Sequence, residues 1–301
     1  MTSQGVLQFR HKFVQLNSLI FTNLSPEHTE SHGSYENYVS AKLEIVKALE
    51  NSGKERKTLI VNTDEKEAPK FLNNNIKEQY KYSLKNGEPY SMEKSGLKMT
   101  FDGTEIKSHL SGKFNIYNIL AAATFAKSQN ISTETIKDAV EKFKGIRGRV
   151  ERIEEGQDFT VIVDYAHTAD SLEKLYEAFP NSKRICVLGN TGGGRDKWKR
   201  PVMAGIADKH CSHIILTDED SYDEDPHQIL EDMTEGIQNT DYEIIMNRRE
   251  AINKALSVAE TGDTVLITGK GTDPYIMGPN NSRLEWDDAN VVREELEKLK
   301  M

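Results

Sequence analysis

The chain has 301 residues, 37% of them hydrophobic and 29% charged, which suits a globular fold of one large or two medium domains. Its net charge of −9 argues against a general nucleic-acid binder or an anionic-membrane protein, although local basic clusters can still hold phosphates. No apolar run reaches membrane-spanning length and no signal peptide opens the chain, so a cytoplasmic location is expected, and with it two reduced core cysteines, Cys186 and Cys211.

The opening, MTSQGVLQFRHKF, offers no helix cap and reads as the middle of a domain. Leu19 to Thr22 is a short apolar strand, and a polar loop follows it. Residues 35–52 form a helix with Tyr38, Ile45 and Leu49 on one stripe. Residues 57–64 are another strand. Residues 65–112 are mixed and polar, with small strands suggested near LKMTFDG. Helices follow over 112–129 and 132–145, the second ended by Gly145. From 159 onward strands and helices alternate. The strands are 159–165, 184–189, 213–219, 242–247 and 264–271; helices lie near 169–179, 197–209, 226–238 and 248–260. That alternation predicts a parallel, doubly wound α/β sheet, with a boundary in RGRVER, near 147–152.

Ligands of such sheets collect beyond the carboxyl ends of the strands. Here those ends are Asp164-Tyr165-Ala166-His167, the turn GNTGGGRDKWKR (189–200), TDEDSYDED, and Gly269-Lys270-Gly271-Thr272-Asp273. The glycine turn is not a Walker loop: Gly189 and Gly194 have the spacing, but Arg195 and Asp196 stand where lysine and a hydroxyl are required. No Walker loop occurs elsewhere in the sequence. The acidic run is not an EF-hand either, since counting from Asp218 puts Asp223 and Ile229 where glycine and glutamate belong. It is a solvated acidic turn or a receptor for a substrate ammonium. Asp164 suits a ribose diol, and a solvated loop charge is the alternative. Lys42 falls on the apolar stripe of its helix, where it either snorkels to water or, if buried, becomes partly neutral and nucleophilic. His28 and His32, taken alone, read as surface histidines. Asn115 and Asn118 share one face at a helix start and suit the polar edge of a base, or simply begin the helix.

Taken together, FTNLSPEHTESHGSYENYVSAK, LSGKFNIYNILAAA, GRVERI with VDYAHTADSLE, GNTGGGRDKWKRPVM, and NRREAINKAL with GDTVLITGKGTD resemble, in order from about residue 2 to 290, the motifs of the Mur ligases of peptidoglycan synthesis. The branch they resemble is the UDP-N-acetylmuramoyl-tripeptide synthetases, which add the third residue of the stem peptide. The resemblance implies a partial central P-loop-type ATPase domain over 1–147, without its P-loop, and a Rossmann-like doubly wound C-terminal domain over 148–301. It implies an ATP- and magnesium-dependent ligase that activates a carboxylate as an acyl phosphate for attack by an amino acid. Its partners are UDP-N-acetylmuramoyl-dipeptide and that amino acid, with no nucleic acid or membrane, in a monomer serving cell-wall biogenesis, cell shape and cell division.

Carried over by position, Lys42 matches the lysine carbamylated to support magnesium, and His28 the histidine beside the metal. Asn115 and Asn118 match adenine contacts; Arg149 and Asp164 match phosphate and ribose contacts, lined by Tyr165 and His167. Arg195 and Asp196 match the catalytic glycine-turn motif. Thr2, Ser3, Lys199, Arg200, Asp220, Lys270 and Asp273 match substrate contacts. The family's magnesium glutamate would stand just before Met1, so a truncated, inactive chain is expected. The family's arginine for diaminopimelate aligns with Tyr222, which argues against diaminopimelate, and the acidic site favours a basic amino acid such as lysine. A folylpolyglutamate or cyanophycin synthetase-like ligase, or a non-catalytic binding subunit, are the rival readings.

Overall fold

The computed structural model describes residues 1–24, 32–93, 96–194 and 196–300. The chain divides into two compact units, Met1–Lys144 and Gly145–Met301. Among the described residues no helix is long and apolar enough to cross a membrane.

In the first unit, β1 (Ser18–Phe21), β2 (Thr58–Asn62) and β3 (Glu78–Tyr82) form a parallel sheet with β2 in the middle. Every residue of β2 is buried, as expected of a strand covered on both faces. Alternation divides its side chains. Leu59 and Val61 meet Tyr38, Val39, Val46 and Leu49 of helix α2 (Tyr35–Glu50), while Ile60 meets Ile116, Ile119 and Leu120 of α4 (Lys113–Ser128). Ser34 starts α2 by accepting the Asn37 amide. Between them lie the short α3 (Ala68–Leu72) and an antiparallel sheet of β4 (Ser91–Glu93), β5 (Gly96–Phe101) and β6 (Thr104–Ser108). Helix α5 (Thr133–Lys142), capped by Ser132, closes the unit.

The start of the chain differs from expectation. Ser3–Leu7 is a short helix, α1, and Thr2 caps it, its hydroxyl accepting the Gly5 amide at 3.0 Å. A Thr at the N-cap followed by glycine and apolar residues was the overlooked signal.

The second unit is a six-stranded sheet in the order β11-β10-β9-β12-β8-β7. These are β7 (Glu151–Ile153), β8 (Thr160–Asp164), β9 (Arg184–Leu188), β10 (His213–Leu216), β11 (Tyr242–Ile244) and β12 (Thr264–Thr268). All pairings are parallel except that of β7 with β8, an antiparallel edge the sequence reading did not include. Helices α6 (Ala169–Glu177), α7 (Lys199–His210) and α8 (Pro226–Thr234) pack Leu172, Met203 and Leu230 on one face. Helices α9 (Arg248–Ser257) and α10 (Asp288–Leu299) pack Ile252, Leu256, Val292 and Leu296 on the other. A hairpin, β13 (Tyr275–Met277) with β14 (Arg283–Glu285), precedes α10.

The cysteines also differ from expectation. Cys186 and Cys211 are joined in a disulfide, with Cα atoms 6.1 Å apart. Cys186 lies on the face of β9 that α7 covers, and Cys211 ends α7, so the fold brings together two residues that read as separate core thiols.

Candidate active site

At the carboxyl rim of the second unit, three strand-end loops lock together through glycines. The Gly192 amide donates to the Asp220 carbonyl at 2.7 Å, and any Cβ at Gly192 would collide with the Ser221 carbonyl oxygen. Gly269 has φ +104° and lies against the Glu219 carboxylate, where a side chain would have no room. The turn after β9 and the turn after β12 can therefore both close on the acidic turn after β10.

Lys270, 1% exposed, is at the centre. Its ammonium donates to both carboxylate oxygens of Asp220 and to Asp273 Oδ2, each at 2.9 Å. Burial pushes its pKa down, but the hydrogen bonds and charges of the two aspartates outweigh that and leave it raised. Glu219, 2% exposed, accepts from the Thr191 hydroxyl through Oε1 at 2.9 Å, while its Oε2 has no hydrogen-bond partner among the described residues. Asp218 is pushed up to about 6, first by burial and then by the negative charges of Glu219 and Asp220.

Beside this cluster, Asp164 accepts the Val150 and Ala166 amides, one on each carboxylate oxygen, both at 2.6 Å. Burial raises its pKa against those two bonds and the charges of Arg149 and His167. The carboxylate expected to meet a ribose thus also staples residues 150 and 166 to the rim. The exposed Arg149 guanidinium lies 4.5 Å over the Tyr165 ring, and His167 stands edge-on to that ring at 4.7 Å. Tyr165 also borders Gly271, so the cation–aromatic group and the acidic group are contiguous.

The other expected rim residues separate. Asp196 is half-buried with φ +49°, and its carbonyl accepts the Lys199 amide at the start of α7. Arg200 is wholly buried; its guanidinium pairs with Glu224 and, at 2.8 Å, with Asp232, so it ties α7 to the acidic turn and to α8 rather than facing a ligand. Arg195 and His28 lie outside the described residues.

In the first unit, Ser3, His32, Tyr38 and Lys42 come together where α1 meets α2. His32 is buried, not on the surface as its loop position suggested, and its Nε2 lies 2.9 Å from Ser3 Oγ. Lys42 is half-buried; its Nζ donates to the Met1 carbonyl at 3.2 Å and lies 5.8 Å from the Tyr38 ring. The Thr2 hydroxyl caps α1 by accepting the Gly5 amide. Asn115 is buried and donates to the Ser111 carbonyl, and the exposed Asn118 donates to Asn115 Oδ1 at 2.9 Å. That leaves Asn118 an amide edge that can both donate and accept, as a base requires. Among the described residues no three His, Cys, Asp or Glu side chains gather to hold a cation.

Two residues escaped the sequence reading. Arg248 and Asp288 form a buried fork, with Nε to Oδ1 and Nη2 to Oδ2 both at 2.8 Å. The signal for Arg248 was a cation in the first turn of a helix, where the dipole disfavours it unless a partner is present.

Two family descriptions match the chain: the Mur ligase middle domain over residues 1–126, and the Mur ligase glutamate ligase domain over residues 148–271. The chain belongs to the Mur ligase family. This Mur ligase chain is 35% identical to the UDP-N-acetylmuramoyl-L-alanyl-D-glutamate–2,6-diaminopimelate ligase of Syntrophomonas wolfei, over 93% of the chain and 60% of the relative. It is 35% identical to the enzyme of the same name from Halalkalibacterium halodurans, over 99% of the chain and 63% of the relative. The chain thus spans about 60% of the length of these curated relatives. A solved structure of a ligase with that name superposes with a TM-score of 0.62 at 28% identity, covering 100% of the chain and 64% of that structure.

Proposed function

We propose that this Mur ligase chain belongs to an ATP-dependent ligase that adds the third amino acid to UDP-N-acetylmuramoyl-dipeptide. The observation that carries the reading is the rim on which a cation–aromatic group (Arg149, Tyr165, His167) adjoins an acidic group (Asp218, Glu219, Asp220, Asp273). One suits a nucleotide and the other an ammonium-bearing amino acid.

In this reading a carboxylate oxygen of the dipeptide attacks the γ-phosphorus of ATP, and ADP leaves. The amine of the incoming amino acid, once it has lost a proton, attacks the resulting acyl phosphate. The tetrahedral intermediate expels phosphate and leaves an amide. The chain's own residues bind and orient. Arg149 faces phosphate charge, Asn118 offers a base-reading edge, and Ser3, held by His32, faces the dipeptide. Lys42 as a carbamate and His28 are the residues the resemblance assigns to magnesium, which would offset phosphate charge. His28 lies outside the described residues, and no step here passes through the ion.

Tyr222 stands where an arginine would meet a distal carboxylate, so an amino acid with a cationic end, such as lysine, fits the acidic rim better than diaminopimelate. The test is a panel of amino acids offered to the complete gene product with ATP, magnesium and UDP-N-acetylmuramoyl-dipeptide, with ligation followed by mass spectrometry. Lysine should be joined with the highest kcat/KM. A preference for diaminopimelate overturns the amino-acid assignment, and no ligation of any amino acid overturns the reaction.

A further inference from the structure

Lys270 has no proton to offer a substrate. Its three N–H groups meet three acceptors, Asp220 Oδ1, Asp220 Oδ2 and Asp273 Oδ2, and its side chain is 1% exposed. What it holds is a junction of three loops. Asp220 accepts the Met277 amide on Oδ1 at 2.8 Å and the Gly192 amide on its carbonyl at 2.7 Å. Asp273 is tied back to Lys270 through its own amide, which donates to the Lys270 carbonyl at 2.8 Å. Without the ammonium, the buried Asp220 carboxylate and the half-buried Asp273 carboxylate would lie side by side and repel each other. With it, both are fixed, and the neighbouring Glu219 keeps an unpartnered oxygen.

We propose that Lys270 is a positioning residue that clamps Asp220 and Asp273 into the arrangement in which the amino acid is read, and that it does not contact the amino acid itself. This rests on the functional reading above. Its consequence is a division of labour on the rim. Asp220 and Asp273 share the one ammonium, which offsets half of their combined charge and fixes both, and Glu219 beside them keeps a carboxylate oxygen without a hydrogen-bond partner among the described residues.

Two measurements test it. The first needs no turnover: acetylation footprinting of the chain's lysines at mild alkaline pH. Lys270 should be modified at least tenfold more slowly than Lys197 or Lys209, and Asp220→Asn should speed its modification at least tenfold. Modification of Lys270 at the rate of the surface lysines overturns the clamp. The second is steady-state ligation by the complete gene product. Lys270→Met should raise the amino-acid KM at least tenfold and change the ATP KM less than twofold, and Lys270→Arg should recover part of the loss. An unchanged amino-acid KM, or equal changes in both, overturns the positioning role. Should Lys270→Met not fold, Lys270→Gln, which keeps both aspartates and a donor for one of them, is read in the same way. No ligation by the wild type overturns the functional reading and the role with it, and the footprint still decides whether the clamp exists.

Discussion

Replacing Asp288 with asparagine removes the counter-charge from a guanidinium that has no route to water. Arg248 is 3% exposed and Asp288 is fully buried. The carboxylate takes two N–H bonds of the guanidinium at 2.8 Å, and its Oδ1 also accepts the Trp286 indole N–H at 2.7 Å. Arg248 keeps one further strong bond, to the Thr268 carbonyl at 2.7 Å, at the last residue of β12. Breaking a buried, hydrogen-bonded ion pair from one side costs about 3–5 kcal/mol. An asparagine oxygen can still accept one bond, which puts the expected loss near the lower end, about 3 kcal/mol. For a unit of this size that lowers the melting temperature by roughly 6–12 °C. Urea unfolding followed by tryptophan fluorescence measures it, since Trp286 contacts the substituted group. The double change Arg248→Met/Asp288→Leu removes both charges and should recover most of the loss. A loss under about 1 kcal/mol for Asp288→Asn, or a double variant weaker than the single, would refute the argument that burial makes this pair interdependent.

Three further outcomes follow from the rim. Asp218, raised to about 6, is held in a fold that prefers its protonated form. Its contribution is present below the unfolded value of about 3.9 and is lost as pH rises through about 6, so Asp218→Asn should add about 1–3 kcal/mol at pH 7.5 and almost nothing at pH 4, as read from urea midpoints. Gly192→Ala should cost about 1–3 kcal/mol and raise the amino-acid KM, because the new Cβ meets the Ser221 carbonyl. Arg149→Ala, on an exposed guanidinium, should leave stability within about 0.5 kcal/mol while weakening ATP binding, measured by calorimetry; unchanged ATP affinity would remove Arg149 from the nucleotide site.

The strands of the second unit were legible because β8, β9, β10 and β12 are covered on both faces and read as continuous apolar runs. Strands β4, β11 and β14 are short and carry few or no buried residues, so no period marks them. Of these, only β11 stood out, because it is flanked by clear helices. The rim residues were legible as types in the right places, but not their roles. Lys270 meets an aspartate fifty positions earlier, and nothing local to the GKGTD stretch distinguishes a buried clamp from a substrate-facing cation. Arg200 is similar: its place in the basic turn matches a substrate contact, whereas α7 turns this side chain inward to Glu224 and Asp232. The burial of His32 was not legible because its partner, Ser3, lies in the opening segment, whose Thr2 cap the sequence reading passed over.

The acyl phosphate is the centre of the account, and oxygen tracing tests it most directly. UDP-N-acetylmuramoyl-dipeptide carrying ¹⁸O in both oxygens of the carboxylate that is joined would be ligated by the complete gene product with ATP and lysine, and the released phosphate analysed by mass spectrometry. One ¹⁸O in each phosphate released is the expected result. Phosphate free of label, alongside a ligated product, would contradict it.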